Sequence, residues 1–382
     1  MSYFIMHKDE IIAEADDKCV TKILNQSLCP ACFFVGQDLE YWLKSRYIDV
    51  HRSHSRQLFK ALRLKNNAEL HDIISIGHGI SITDNWWIRD QAESDLDYRA
   101  LKEYNEEIAN IAFYGSTNKE YDLKGYTELG TTGSYEKTWR YFNESWYMFK
   151  QGNKAELISE YFSFCFLKEV GQPVAEYAVK RDKTALGFEQ EFVISKDYTD
   201  NARYDFEPFC NYFNDNEDYD YIIPRLEQLE KDNNCSDLAI RYVEMCFYDA
   251  LLFNVDRHNQ NAGFLRDSST GKIIGLAPCY DYNLSMAATK TPVFGKSGDI
   301  MGFFVKSDSC MEIIGSSDIP NEETIKASLD SAIKHTQAAF PNDSINYTVF
   351  SDYVLNAYHY FCSALSRFPE QSELLGNNNG IK

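Results

Sequence analysis

The stretch Phe253-Asn254-Val255-Asp256-Arg257-His258-Asn259-Gln260-Asn261-Ala262-Gly263-Phe264-Leu265 gathers the residue types of this chain best suited to chemistry. Its pattern runs from an apolar helix into a polar loop and out into a strand. Asp256 and Asn261 stand five residues apart, the separation that phosphoryl transfer uses between a catalytic aspartate and a metal-binding asparagine. The carboxylate would accept the hydrogen bond of an acceptor hydroxyl. A neutral amide oxygen on the same loop would hold magnesium without adding negative charge beside phosphates. A turn rich in Asn and Asp has this composition for purely local reasons as well, so the motif needs a second element.

That element is Asp281, twenty residues beyond Asn261, in Gly275-Leu276-Ala277-Pro278-Cys279-Tyr280-Asp281-Tyr282-Asn283-Leu284-Ser285. A strand-turn-strand over Gly263–Arg266, Ser268–Gly271 and Lys272–Leu276 returns to its start, which lets Asp281 share a cation with Asn261. Alone, an aspartate after a strand is more often a turn or a cap; beside the upstream loop it reads as a ligand. A cation for the phosphates is expected at Lys150, which ends the aromatic strand Trp146–Lys150. The helix that follows carries Glu156 and Glu160, either able to pair with Lys150, and Glu160 is favoured because it lies a turn deeper. Gly130, Thr131, Thr132, Gly133 and Ser134, with Lys137 just beyond, form a loop whose glycines let backbone amides approach phosphate oxygens. G-x-x-G alone says little; the order of glycine loop, strand lysine, helix glutamate, loop aspartate and metal aspartate says more. His258 is expected to orient the loop through backbone or Asp281.

The elements that must position these groups follow from pattern. Tyr135–Phe142, Glu144–Lys150, Val174–Lys180 and Gln190–Ser195 are rich in aromatic and β-branched residues, as half-buried strands are. Between the second and third, Leu157, Tyr161, Phe164 and Leu167 recur at four and three, which predicts a helix over Ala155–Val170 ended by Gly171. Helices are predicted over Tyr221–Asp232, Leu238–Phe253, Ile325–Thr336 and Ser344–Leu365. Residues 15–110 read as mixed α/β, with helical stretches at Asp38–Leu43 and His54–Leu62 and the aromatic Trp86-Trp87-Ile88, read as core. A polar stretch at Ser116–Lys124 marks a boundary. The fold expected is α+β and bilobal: an accessory α/β domain at 1–115, a small β-rich lobe at 116–198, a mainly helical lobe at 199–373 and a frayed tail at 374–382.

Composition narrows the partners. Among 382 residues, 58 acids oppose 38 Lys and Arg, a net charge of −20, which disfavours unaided binding to nucleic acid or anionic lipid. No apolar run of about 18 residues is present for a membrane span, and the N-terminus lacks an export signal, so a cytoplasmic location is expected. The ten cysteines are dispersed and read as reduced thiols. Cys29-Pro30-Ala31-Cys32 could be half a zinc site, but no partner pair stands at ligand spacing, and buried structural cysteines are the better reading. His71, His78, His335 and His359 read as structural or surface residues.

The chain resembles the HipA-like serine/threonine kinases of bacterial toxin–antitoxin systems. The resemblance rests on Gly133-Ser134-Tyr135-Glu136-Lys137-Thr138, the strand ending in Lys150, Ser159-Glu160-Tyr161, the block Asn254–Phe264 and Ala277-Pro278-Cys279-Tyr280-Asp281. It covers roughly residues 116 to 365. Leu39-Glu40-Tyr41-Trp42, Arg46, Arg52 and Ile82–Ile88 are similar to the amino-terminal extension of Gram-positive relatives. Aminoglycoside and choline phosphotransferases share the first motif but usually place His two before the Asp, where this chain has Asn254. The resemblance implies ATP and Mg2+ as cofactors and Asp256 as catalytic base. It implies Asn261 and Asp281 as magnesium ligands, Lys150 as the phosphate-contacting lysine and Glu160 as its partner. The adenine hinge would fall at Ile194, Ser195 and Lys196. Some relatives autophosphorylate a serine of the glycine loop; Gly130 occupies that place here, with Thr131, Thr132 and Ser134 as neighbouring candidates. The implied acceptor is a Ser or Thr of a protein, and a basic DNA-binding antitoxin-like protein is the implied partner. A silent nucleotide-binding module (a pseudokinase) and a small-molecule phosphotransferase remain the alternatives.

Overall fold

The computed structural model describes residues 2–48, 52–62, 76–115, 136–183, 189–214, 217–286 and 299–367. The chain begins with a hairpin of β1 (Ser2–His7) and β2 (Glu10–Asp16), to which β3 (Val20–Ile23) adds on one side and β4 (Trp86–Asp90) on the other, all antiparallel. Strand alternation drives Tyr3, Ile5, Trp86 and Ile88 into one core, which α1 (Leu39–Lys44) covers with Leu39, Trp42 and Leu43. Met6 and Trp87 enter a second cluster, with Tyr98 and Leu101 of α3 (Tyr98–Leu101). Full burial of each such side chain contributes roughly 1.5–3 kcal/mol. α2 (Ser55–Ala61) packs Leu58 and Phe59 on Ile108 and Ile111 of α4 (Glu106–Tyr114). The mixed α/β character expected here is present, although the first strands have no counterpart in the sequence reading.

The second sheet has the order β5-β6-β8-β7, from β5 (Lys137–Phe142), β6 (Ser145–Lys150), β7 (Tyr177–Lys183) and β8 (Glu189–Lys196). Asn143 and Glu144 join β5 to β6 with φ of 49° and 61°, the doubly left-handed turn that matches strand twist. This two-residue turn sets the register, so that Phe142 faces Ser145 and, at the far end, Lys137 faces Lys150.

α5 (Lys154–Glu169) starts at a capping box, Asn153 with Glu156, and ends where Gly171 turns left-handed at φ 78°. The Gly171 and Gln172 amides return to the Lys168 and Leu167 carbonyls at 3.1 and 2.9 Å, the Schellman closure that stops a helix. β9 (Tyr204–Pro208) precedes α6 (Tyr219–Asn233) and α7 (Leu238–Leu251); β10 (Gly263–Asp267) and β11 (Ile273–Leu276) complete a sheet of order β11-β10-β9. α8 (Ile300–Phe304), α9 (Asp308–Gly315), α10 (Glu322–Ala339) and α11 (Tyr347–Leu365) follow. The predicted helices after residue 150 all occur, while α8 and α9 are additional.

Contacts gather the chain into two compact units. The first contains Met1–Gly152, Tyr177–Glu207 and Phe264–Ile274; the second contains Asn153–Glu176, Pro208–Gly263 and Gly275–Lys382. In the second, α7 is central and packs on α6, α8, α9 and α11, and α5 packs on α10. The result is a mixed α/β chain of β-sheets and packed helices. No helix among the described residues is long and apolar enough to cross a membrane.

Candidate active site

The loop that carries Asp256 is aimed by the way α7 ends. Phe253 adopts φ 49° and the Asn254 amide returns to the Asp249 carbonyl at 2.9 Å, a helix stop of the glycine type made by a phenylalanine, at a steric cost. Asn254 is buried and its Nδ2 donates to Asp249 Oδ1 at 2.9 Å, which holds the strained turn. Beyond it the loop is wired internally. Asn261 Nδ2 donates to the Asp256 carbonyl at 3.0 Å, the Asn261 amide to the His258 carbonyl at 2.8 Å, and the Gln260 amide to His258 Nδ1 at 3.2 Å. His258 is exposed. Because Nδ1 accepts, its proton resides on Nε2. None of these bonds uses the Asp256 carboxylate, and the Asn261 bond through Nδ2 leaves Oδ1 on the opposite side of the amide.

Arg257 ties this loop to the segment of Asp281. Its Nε and Nη2 reach Asp249 Oδ2 and Oδ1 at 2.8 and 3.1 Å. Its Nη1 donates to the Asn261 carbonyl and, at 3.0 Å, to the Tyr280 carbonyl, while the guanidinium lies 4.9 Å from the Tyr282 ring centroid. Burial works against the charge, but Asp249 beside it holds the guanidinium protonated, with its pKa well above the ordinary value. Tyr280 Oη closes the junction on the Gln260 carbonyl at 2.9 Å. The β10–β11 turn brings the chain back as expected: the Ala277 amide donates to the Gly263 carbonyl at 2.9 Å. The Cys279 amide bonds the Pro173 carbonyl at 3.0 Å, and the Cys279 carbonyl accepts from Ala175 at 2.9 Å. Asp281 then turns left-handed at φ 62°, a conformation that costs an ordinary residue about 1 kcal/mol or more and recurs at functional sites.

The candidate ligands Asn261 and Asp281, like Asp256, offer oxygen donors, and Asn283 Oδ1, two residues beyond Asp281, is buried and without a hydrogen-bond partner among the described residues. An all-oxygen set with a spare buried acceptor suits a hard divalent cation such as Mg2+. Among the described residues no group of three or more His, Cys, Asp or Glu could hold a metal. A cavity of about 210 Å3 elsewhere in the second unit, lined in part by Gln172, Asp237, Arg241 and Cys279, includes none of these residues.

In the first unit, residues directly opposed across antiparallel strands emerge on one face. Lys150 is opposed by Lys137 and by Val193, so the two lysines share a face, and Lys150 Nζ lies 6.0 Å from the Tyr177 ring centroid. The other face, with Phe149, Phe192 and Ile194, is closed by Phe113 of α4. Ile194 and Ser195 have strand neighbours on both sides, whereas Lys196 has only Tyr147. The Asp197 amide bonds the Trp146 carbonyl at 2.9 Å. By the alternation of an antiparallel ladder, the peptide groups of Lys196 therefore point to the side where β7 has ended. Glu156 is engaged as the cap of α5, its Oε2 accepting from the Asn153 amide at 2.9 Å. Glu160, 2% exposed, lies inside the same helix, in the second unit. Gly130, Thr131, Thr132, Gly133 and Ser134 lie outside the described residues, as do His71, the boundary stretch 116–124 and the tail 374–382.

The model of the HipA-like C-terminal domain matches residues 133–339, more than half of the chain. The chain belongs to the HipA-like C-terminal domain family. A chain of the Shewanella oneidensis MR-1 toxin–antitoxin complex of HipA, HipB and operator DNA is similar at 12% identity and a TM-score of 0.50, with 98% of this chain and 99% of that chain covered. That likeness speaks for the fold. The proinflammatory kinase CtkA of Helicobacter pylori is similar at 17% identity and a TM-score of 0.37, over 62% of this chain and 95% of that chain. Among curated proteins, none matches.

Two residues of this HipA-like site were not anticipated, Arg257 and Asp249. A cation inside a loop that must turn several carbonyls inward, eight residues after an acid buried in a helix, is the signal they offered. Other expectations resolve as packing. Trp86 and Trp87 are core, their indole nitrogens donating to the Leu28 and Lys8 carbonyls at 2.7 Å each. His78 is buried, with Nδ1 3.1 Å from the Ile88 carbonyl oxygen and its pKa lowered by burial. Cys29 is buried, and Arg266 and Glu207 hold its turn through backbone groups: the Cys29 and Ser27 carbonyls accept from Arg266 at 2.9 and 2.7 Å, and the Ala31 amide donates to Glu207 at 2.6 Å.

Proposed function

We propose that this HipA-like chain is an ATP- and magnesium-dependent serine/threonine protein kinase. The observation that carries the reading is the Arg257 junction, which brings the Asn261 carbonyl and the Tyr280 carbonyl onto one guanidinium nitrogen and so sets Asp281 beside the Asp256–Asn261 loop. Asp256 accepts the hydrogen bond of a Ser or Thr hydroxyl on another protein, or on this chain, and orients its oxygen toward the terminal phosphate. Asn261 and Asp281 hold Mg2+, which when bound offsets the charge of the transferred phosphoryl group. Lys137 and Lys150 supply positive charge on one sheet face of a chain whose net charge is −20, and like charges directly opposed are better tolerated beside an anion. In this reading Glu160 is the residue that would partner Lys150, His258 carries its proton on Nε2, and Gly130, Thr131, Thr132, Gly133 and Ser134 are the residues that would bind the phosphates. The hinge lies at Ile194–Lys196, with Lys196 offering the peptide groups that meet adenine.

The finer assignments belong to the same reading: the accessory domain at 1–115 as the extension of Gram-positive relatives, lobes at 116–198 and 199–373, and a cytoplasmic regulatory or toxin-type role. A basic DNA-binding partner of the antitoxin kind would dock on the acidic surface and supply any operator binding. The Shewanella complex contains HipB and operator DNA beside HipA.

Phosphate transfer from labelled ATP tests the proposal. Asp256→Ala should lose about 10²–10⁴-fold in rate and Asp281→Ala should lose transfer, each with the fold kept. Wild-type transfer by Asp281→Ala would end the reading. Thermal stabilisation of the wild-type chain by ATP and magnesium without transfer to any protein would make it a silent nucleotide-binding module instead.

A further inference from the structure

We infer that Arg257 is a positioning residue for the magnesium site, setting the separation between Asn261 and Asp281 and thereby the affinity for the metal–nucleotide complex. The inference rests on the kinase reading above and assigns Arg257 no contact with substrate.

Four groups meet on one planar cation. Asp249, 3% exposed on α7, takes Nε and Nη2. Nη1 alone bridges the carbonyl of Asn261, one proposed ligand, and the carbonyl of Tyr280, the residue before the other. Tyr282, on the far side of Asp281, lies under the guanidinium with 1% exposure. Asp281 is thus bracketed by two residues that touch Arg257, and it is held at φ 62° between them. Carbonyl oxygens repel one another at close range. A partly buried cation between them turns that repulsion into attraction, and Asp249 neutralises the cation from behind.

Lysine cannot substitute. Its ammonium keeps the charge but lacks the fork that meets a carboxylate edge on one side and two carbonyls on the other. Side chains that orient metal ligands from behind govern metal affinity rather than the chemistry of the donor atoms. Removing the fork should therefore loosen metal binding before it affects the nucleotide's own contacts.

The test compares the full chain with Arg257→Lys and Asp249→Asn, measuring the affinity for a fluorescent ATP analogue in excess EDTA and through a magnesium titration. In Arg257→Lys the magnesium concentration for half-maximal tightening should rise about 10–100-fold, with metal-free affinity essentially unchanged. Asp249→Asn keeps the shape of its carboxylate and should shift the same way by less, which carries the test should Arg257→Lys fail to fold. The inference is overturned if both variants titrate with magnesium as the wild type does, or if metal-free affinity drops by the same factor as the magnesium-supported affinity. A wild-type chain that binds no nucleotide at all overturns the kinase reading and this inference together, an outcome distinct from a normal wild type with unaltered variants.

Discussion

Buried Asp249 and partly buried Arg257 form a forked ion pair, at 2.8 and 3.1 Å, that joins the end of α7 to the Asp256–Asn261 loop eight residues later. Removing one partner leaves an uncompensated buried charge, at a cost of about 3–5 kcal/mol. Asp249→Ala should therefore lose about that much stability in urea denaturation of the full chain. A loss of less than about 1 kcal/mol would mean that the pair behaves like an exposed one and does not anchor the loop.

The two glutamates of α5 should separate cleanly. Glu156 closes the capping box with Asn153, so Glu156→Ala should cost about 1 kcal/mol of stability and leave nucleotide affinity as it is. Glu160→Gln should lower phosphate transfer while melting close to the wild type. Reversal of the two phenotypes would reassign the lysine partner to Glu156.

Stability should also depend on pH through Lys102. Burial brings the pKa of its ammonium down from 10.5 to about 8, against the opposing pull of Asp84, Asp205 and Asp197, and Nζ donates to the Asp84 and Ile82 carbonyls at 2.5 and 3.4 Å. Between those two values the unfolded chain binds more protons than the folded one, so this group's contribution to stability rises with pH from about 8 to 10.5. The full burial penalty applies below pH 8. Lys102→Met should flatten a rise of roughly 1–3 kcal/mol across that window, read by denaturant titrations at several pH values. Parallel pH profiles for variant and wild type would exclude the effect.

The Cys29 thiol should be unreactive. Burial pushes its pKa up to about 12, and its Sγ lies 3.6 Å from the Ile12 carbonyl oxygen. Iodoacetamide near neutral pH should modify the partly exposed Cys32 at least about 10²-fold faster, as followed by mass spectrometry of the intact chain. Arg266→Ala, which releases the Cys29 and Ser27 carbonyls, should narrow that gap. Preferential alkylation of Cys29 in the wild type would contradict the buried geometry.

The legible parts of the site share one property. Asp256, Asn261 and Asp281 stand at separations along the chain spanned by one loop and one short hairpin, whose return is seen in the Ala277 amide bonding the Gly263 carbonyl, so spacing alone brought them forward as candidates. Gly171 was legible as the stop of α5 for the same reason, since a left-handed residue after an apolar periodicity acts within one turn. The N-terminal hairpin was not, because six- and seven-residue strands with irregular alternation do not stand out from a polar loop until their partners across the sheet are known. Glu156 and Glu160 look alike in sequence, and the cap formed with Asn153 separates them.

The sequence by itself determined which residues are candidates for phosphate transfer, because that chemistry depends on residue type and local spacing. Only the tertiary structure decided what holds them together. The partners of Arg257 are Asp249 on a helix, Asn261 in its own loop and Tyr280 and Tyr282 beyond a hairpin. A planar, partly buried cation satisfies all of them at once through directions in space, which no separation along the chain encodes.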